Sequence, residues 1–166
     1  MMELTVSRWD TVCFTGHRPE KLDQSEEQVR EALRKGIDKA LAWKYTTFIT
    51  GMAPGVDIWA AEEILRLRAD HPELWFICAV PYDGFAQKWD ESWKEKYDSI
   101  LAAADEVHYI SPKSTRAAPI IRDKWMVDHS SLVIAVYNGT KGGTQITVEY
   151  AEKKKTRVLN VLGQHL

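Results

Sequence analysis

The stretch "SLVIAVYNGTKGGTQITVEYAEKKK", residues 131–155, holds the pattern on which the fold turns. Residues 131–137 read as a strand, and a similar run at 74–80, apolar without alternation, fits a parallel strand covered on both faces. Asn138 and the glycines that follow break the strand. Gly142 and Gly143 precede Thr144, where a long amphipathic segment begins that reads as a helix. A Gly-Gly-Thr at a helix start can present two backbone N–H groups and a hydroxyl to a phosphate. A flexible turn with a threonine cap has the same spacing, and spacing alone leaves both open. The run "EKKK" at 152–155 puts cations at the end of the helix, where the dipole favours them, and reads as a solvated face.

Working outward, the same alternation fills the chain. Strands are predicted at 11–15 ("TVCFT"), 46–50 ("TTFIT"), 74–80 ("LWFICAV"), 106–111 ("EVHYIS") and 157–162 ("RVLNVL"). Between them lie helical patterns. The first has Val29, Leu33, Ile37, Ala40 and Leu41 at helical spacing, with Ser25 as N-cap and Glu26 and Glu27 at the positive end of the dipole. A second, "GVDIWAAEEILRLRADH", places Ile58, Ala61 and Leu65 on one face, and further helices are predicted over 86–104 and from Ile120. Residues 111–119 read as a loop, in which Lys113 and Arg116 are either solvated or a mobile lid over an anion. Strand and helix in alternation predict one α/β domain over 1–166: a Rossmann-like, doubly wound, mostly parallel sheet with helices on both faces.

Composition narrows the function classes. The chain has 166 residues, 45% hydrophobic and 28% charged, as a globular domain does. A net charge of −2 gives no general reason to expect nucleic acid or a membrane surface as partner. No apolar run approaches the roughly 18–20 residues of a membrane span. The N-terminus lacks an apolar signal core, so a cytoplasmic location is expected. Cys13 and Cys78 sit in apolar runs and read as buried free thiols. The five histidines form no metal-ligand spacing, so no metal is expected.

In doubly wound folds ligands sit at the carboxyl ends of the strands. The candidate residues are therefore those just after each strand. After the first come Thr15, Gly16, His17 and Arg18, with Arg18 able to fork onto phosphate oxygens. After the second comes "TGMAPGVD", with Gly51, Gly55 and Asp57, where Asp57 is either functional or simply an acid favoured at a helix start. After the third come Pro81 and Tyr82, and after the fifth Asn138 and the Gly142–Gly143–Thr144 set. Neither GxGxxG nor a P-loop pattern is present. Phe85, Trp89, Trp93 and Tyr97 recur every four residues, which predicts one helical stripe. Such a stripe packs its helix on the sheet or on a partner chain; alternatively Phe85 or Trp89 stacks on a base. Arg122 and Asp128 read as a pair within one helix.

The motifs "CFTGHRP", "TGMAPGVDIWAAE", "AVPYDGFAQKW" and "IRDKWMVDHSSLVIAVYNGTKGGTQITVEYA", in this order over roughly residues 11–162, resemble the YpsA-like branch of the SLOG superfamily. That superfamily also includes LOG-type phosphoribohydrolases and the DNA-processing protein DprA. The resemblance implies a Rossmann-like domain that binds a nucleotide or nucleotide-derived ligand, such as an ADP-ribose derivative, as a sensor or regulatory module. It also implies a homodimer. Against the LOG motif, Arg122 fits the arginine position and Gly143 and Thr144 fit the last Gly-Thr. The LOG glutamate position holds Thr147, and Glu149 lies about 200° away around the helix. Arg122 and Glu149 are thus the remaining catalytic candidates for an N-glycosidase alternative. A DprA-like alternative would bind single-stranded DNA, but the chain shows no matching basic cluster, and nucleic acid is not expected as a partner. No cofactor is expected beyond a nucleotide-type ligand.

Overall fold

The computed structural model describes residues 6–163. Residues 1–5 and 164–166, which the single-domain expectation includes, lie outside the described residues. Six strands form one sheet: β1 (Thr11–Gly16), β2 (Thr47–Thr50), β3 (Trp75–Val80), β4 (Glu106–Tyr109), β5 (Leu132–Val136) and β6 (Arg157–Asn160). Their order is β4-β3-β2-β1-β5-β6, and every neighbouring pair is parallel. Each crossover carries a helix: α1 (Glu26–Ala42), α2 (Val56–Arg68), α3 (Glu91–Ala103), α4 (Ala118–Asp128) and α5 (Gly143–Lys153).

The alternating side chains of β1 show why both faces must be covered. Val12 and Phe14 pack with Val29, Leu33 and Ile37 of α1 and Ile58 and Ile64 of α2. Cys13, between them, packs on the other face with Met126 and Val127 of α4 and Ala151 of α5. A strand buried on both sides has no polar position, so its sequence reads as an unbroken apolar run. The chain winds outward from β1 to β4, then returns through α4 to β5 on the other side of β1. The order therefore reverses between β1 and β5, and a crevice opens there at the carboxyl ends of the strands.

Two helix starts differ in their local chemistry. Ser25 accepts from the Gln28 backbone N–H at 3.2 Å, and its own N–H donates to the Gln28 side chain at 2.9 Å, a complete capping box. The helix predicted from Ala86 begins later, at Glu91. Gly84 is at φ +85°, and turns return Gln87 N–H to the Gly84 carbonyl and Trp89 N–H to the Ala86 carbonyl. Phe85 and Trp89 thus precede α3, and the four aromatics are not one helical stripe. Instead Tyr82, Phe85, Trp89 and Tyr97 pack edge to face in series, with ring centroids 5.0–5.5 Å apart. Trp93 turns toward Trp59 of α2, 6.3 Å away. The loop predicted to residue 119 ends sooner, because Ala118 and Pro119 form the first turn of α4, where proline loses no hydrogen bond.

Candidate functional site

A cavity of about 210 Å³ lies at the point where the strand order reverses. Its wall takes Thr15, Gly16, His17 and Arg18 from the end of β1, Asp57 from the start of α2, Arg122 from α4, and Gly143 and Thr144 from the start of α5. Loops more than a hundred residues apart in sequence meet here because β1 and β5 are neighbours in the sheet.

Arg122 dominates the electrostatics. It is only 4% exposed. Its Nε donates to Asp123 Oδ1 at 2.6 Å, Nη1 donates to the Gly51 carbonyl, and the guanidinium lies over the Phe85 ring at 5.8 Å. Nη2 has no hydrogen-bond partner among the described residues. A buried guanidinium demands several acceptors, and the two inside the protein leave part of the fork facing the cavity wall. The partner of Arg122 is therefore Asp123, not Asp128, which accepts instead from the Tyr150 hydroxyl at 2.7 Å. Asp123 Oδ2 in turn accepts from Thr147 Oγ1 at 3.0 Å. The Thr147 hydroxyl can also reach the Gly143 carbonyl, at 2.8 Å.

Asp57 is buried and accepts from the Ala53 backbone N–H at 3.1 Å. Burial pushes its carboxyl up to about 6; Arg122 pulls the other way, and Asp123 adds to the rise. His17 is also buried. Its backbone N–H donates to the Val136 carbonyl at 3.2 Å, and its ring lies 5.5 Å from Tyr137 and within 3.4 Å of Thr140 Oγ1. Burial and the charge of Lys21 lower its pKa, which favours a neutral ring. Lys21 spans the cleft mouth: its Nζ donates to the Lys141 carbonyl at 2.9 Å, and its own carbonyl accepts from Asn138 Nδ2 at 2.9 Å.

The glycines expected to cradle a ligand do different jobs. A Cβ on Gly16 would meet Val56 at 2.6 Å, so the missing side chain makes room for α2 and not for a ligand. A Cβ on Gly51 would meet the Arg122 guanidinium at 2.8 Å. Gly55 sits at φ +99° with Pro19 2.7 Å from its Cβ position. Gly143 meets nothing within 4 Å. Of these four glycines, only Gly143 has open space beside it.

Of the residues expected from sequence, Gly51, Gly55, Pro81, Tyr82, Asn138 and Gly142 are outside the cavity wall. Gly51 and Asn138 hold residues that are in it or near it. Pro81 accepts the Ser111 N–H through its carbonyl, and Tyr82 backs Phe85. Gly142, at φ +145°, makes room for Lys21 Nζ, which would lie 2.8 Å from a Cβ there. Glu149 is on the exposed side of α5, where it accepts from Gln145, as its angular offset from position 147 requires. Lys113 and Arg116 are exposed in the loop before α4. Sequence reasoning missed Lys21 and Asp123. The signal for Asp123 was an adjacent Arg-Asp pair between the apolar runs of "PIIRDKWMV", where buried charges need a partner. No group of three or more His, Cys, Asp or Glu side chains is assembled for a metal among the described residues. None of their helices is long and apolar enough to cross a membrane.

A six-stranded parallel sheet with helices on both faces and a crevice at its switch point defines a Rossmann-like α/β domain. The model described as the YspA SLOG family matches residues 12–161, and the chain belongs to that family. A UPF0398 protein of Bacillus velezensis is 29% identical over 157 residues, covering 87% of this chain and 84% of that one. A UPF0398 protein of Bacillus thuringiensis is 26% identical over 161 residues, covering 90% and 85%. Among solved structures, DNA processing protein A of Streptococcus pneumoniae superposes with a TM-score of 0.63 at 19% identity, covering 90% of this chain. DNA processing protein A of Helicobacter pylori, studied for its single-stranded DNA binding mode, gives 0.61 at 18% identity over 92% of this chain. The chain spans 49% and 64% of these two structures, so the shared part is the fold of one domain.

Proposed function

We propose that the crevice between β1 and β5 binds the phosphate of a nucleotide or nucleotide-derived ligand, and that the domain acts as a sensor or regulatory module. The observation that carries this reading is Arg122: a buried guanidinium on the cavity wall whose Nη2 has no partner among the described residues. A planar fork of this kind suits phosphate oxygens. Gly143 and Thr144 at the start of α5 add free N–H groups and the positive end of the helix dipole, and Lys21 and Arg18 add charge at the rim. Turnover is not part of the proposal, because Thr147 stands at the glutamate position of the LOG motif and Glu149 faces away.

Gly143→Asp tests this. The Cβ position is open, and an acid in the first turn suits the helix, so the fold should be kept. The added carboxylate should repel an anion and abolish thermal stabilisation by a panel of nucleotides. Unchanged stabilisation in the variant would sink the proposal. The likeness to a single-stranded-DNA-binding protein runs against the expectation that nucleic acid is no partner. The panel therefore includes an oligonucleotide, whose binding would fall steeply with salt. Release of free base from any nucleotide would replace the sensor reading with an N-glycosidase. Light scattering on the same preparation checks the homodimer that the resemblance implies.

A further inference from the structure

A second groove of about 420 Å³ adjoins the cavity and shares Arg18 with it. Trp89 and Trp93 supply its aromatic wall, with Lys88, Glu20 and Asp90 around it. The sequence offered Trp89 as a base-stacking residue and Arg18 as a phosphate contact, but not their shared groove with Trp93, because the two tryptophans come from different elements: Trp89 from the turns before α3, Trp93 from its first turn. Both rings are half-buried, so each keeps surface exposed to solvent. The carbonyl of Arg18 accepts from the Lys21 N–H at 3.0 Å, while its exposed side chain makes no hydrogen bond among the described residues. Its charge acts on Asp57 across the cavity but makes no ion pair among the described residues, which leaves a cation at the junction of an anion-ready cavity and an aromatic groove.

The magnitudes argue that the two belong to one site. Small-molecule pockets run about 300–1,000 Å³. The cavity at Arg122, about 210 Å³, has room for a phosphate group but falls short of that range; joined to the groove it falls inside it. We propose that the groove is the base subsite of a nucleoside diphosphate: the ring stacks on Trp89 or Trp93, Arg18 holds the phosphates between the two compartments, and the terminal phosphate reaches Arg122. Glu20 and Asp90, which would repel a phosphate, are suited to accept from ribose hydroxyls or an exocyclic amine. Lys88 keeps the rim from being net acidic. This inference rests on the anion-binding reading above and adds the class of ligand to it.

Three probes separate the two: inorganic pyrophosphate, ADP and a pyrimidine diphosphate, each titrated by calorimetry into wild type and Trp89→Leu. Stacking on an aromatic ring contributes about tenfold or more per base. Wild type should bind both nucleotides at least tenfold more tightly than pyrophosphate. Trp89→Leu should lose that advantage while binding pyrophosphate as wild type does. Trp93→Leu is the second variant, since Trp89 also packs on Phe85 and Tyr97. If pyrophosphate and the nucleotides bind wild type equally, or if both variants keep the nucleotide advantage, the base subsite is overturned and the anion site stands. If none of the three binds wild type, both fall.

Discussion

The loop after β2 and the loop after β5 look alike in sequence and are opposites in structure. Both combine glycines with threonine, two in the first and three in the second, and lead into a helix. In "TGMAPGVD" the space beside the glycines is filled by the protein itself: the Arg122 side chain at Gly51 and Pro19 at Gly55. Met52, between them, is fully buried at φ +67°, a conformation a side chain adopts only when packing enforces it. In "NGTKGGT" the residues from Asn138 to Lys141 are exposed, held by Lys21 and by Asn138 itself, and the space at Gly143 is open. One loop is a support that positions an arginine; the other is a surface with room for a ligand. A glycine marks a close approach, and the partner in that approach can equally be a neighbouring side chain or a bound molecule.

The largest effect expected of that contrast is at Arg122. Arg122→Met should destabilise by about 3–5 kcal/mol, because it strips the counter-charge from buried Asp123. Urea unfolding checks it, and a loss under 1 kcal/mol would mean the arginine is not part of the support. Next is Asp57, at the end of the filled loop. The folded chain favours its protonated form, so its stabilisation is full below pH 3.8 and is lost as pH rises through about 6. Between pH 4 and 7 the wild type should lose about 2 kcal/mol relative to Asp57→Asn. Parallel stability profiles for the two proteins would show that Asp57 does not titrate in this way. The smallest effect sharpens the comparison directly. Gly55→Ala should cost about 2 kcal/mol, from positive φ and the clash with Pro19, whereas Gly143→Ala should change stability by less than about 0.5 kcal/mol. Equal melting shifts for the two alanines would erase the distinction between the loops.

Much of the fold was legible because a parallel sheet leaves strong marks. The runs at β1, β3 and β5 show no polar alternation, and Ser25 with Glu26 and Glu27 marks a helix start chemically. The start of α3 was misjudged because a four-residue aromatic spacing imitates a helix. Gly84 and the turns after it interrupt that spacing, which hydrophobic periodicity does not register. The convergence of the strand-end loops on one crevice was legible, since it follows from the topology alone. Its division of labour was not. Asp123 and Lys21 act through partners that lie 24 residues away at Thr147 and 120 residues away at Lys141, and no local pattern encodes such distances.

By itself, the sequence determined an α/β alternation, a parallel sheet and which loops meet at its carboxyl edge, because these depend on periodicity and on the chemistry of strand ends. Only the tertiary structure decided which glycine is open and which is filled, that Arg122 pairs with Asp123 rather than Asp128, and that two tryptophans from different elements share a groove with Arg18. Apart from the adjacent Arg122–Asp123 pair, whose geometry is set by packing, those are contacts between segments distant in sequence. They depend on strand order and helix docking, which bring together residues whose local surroundings carry no trace of one another.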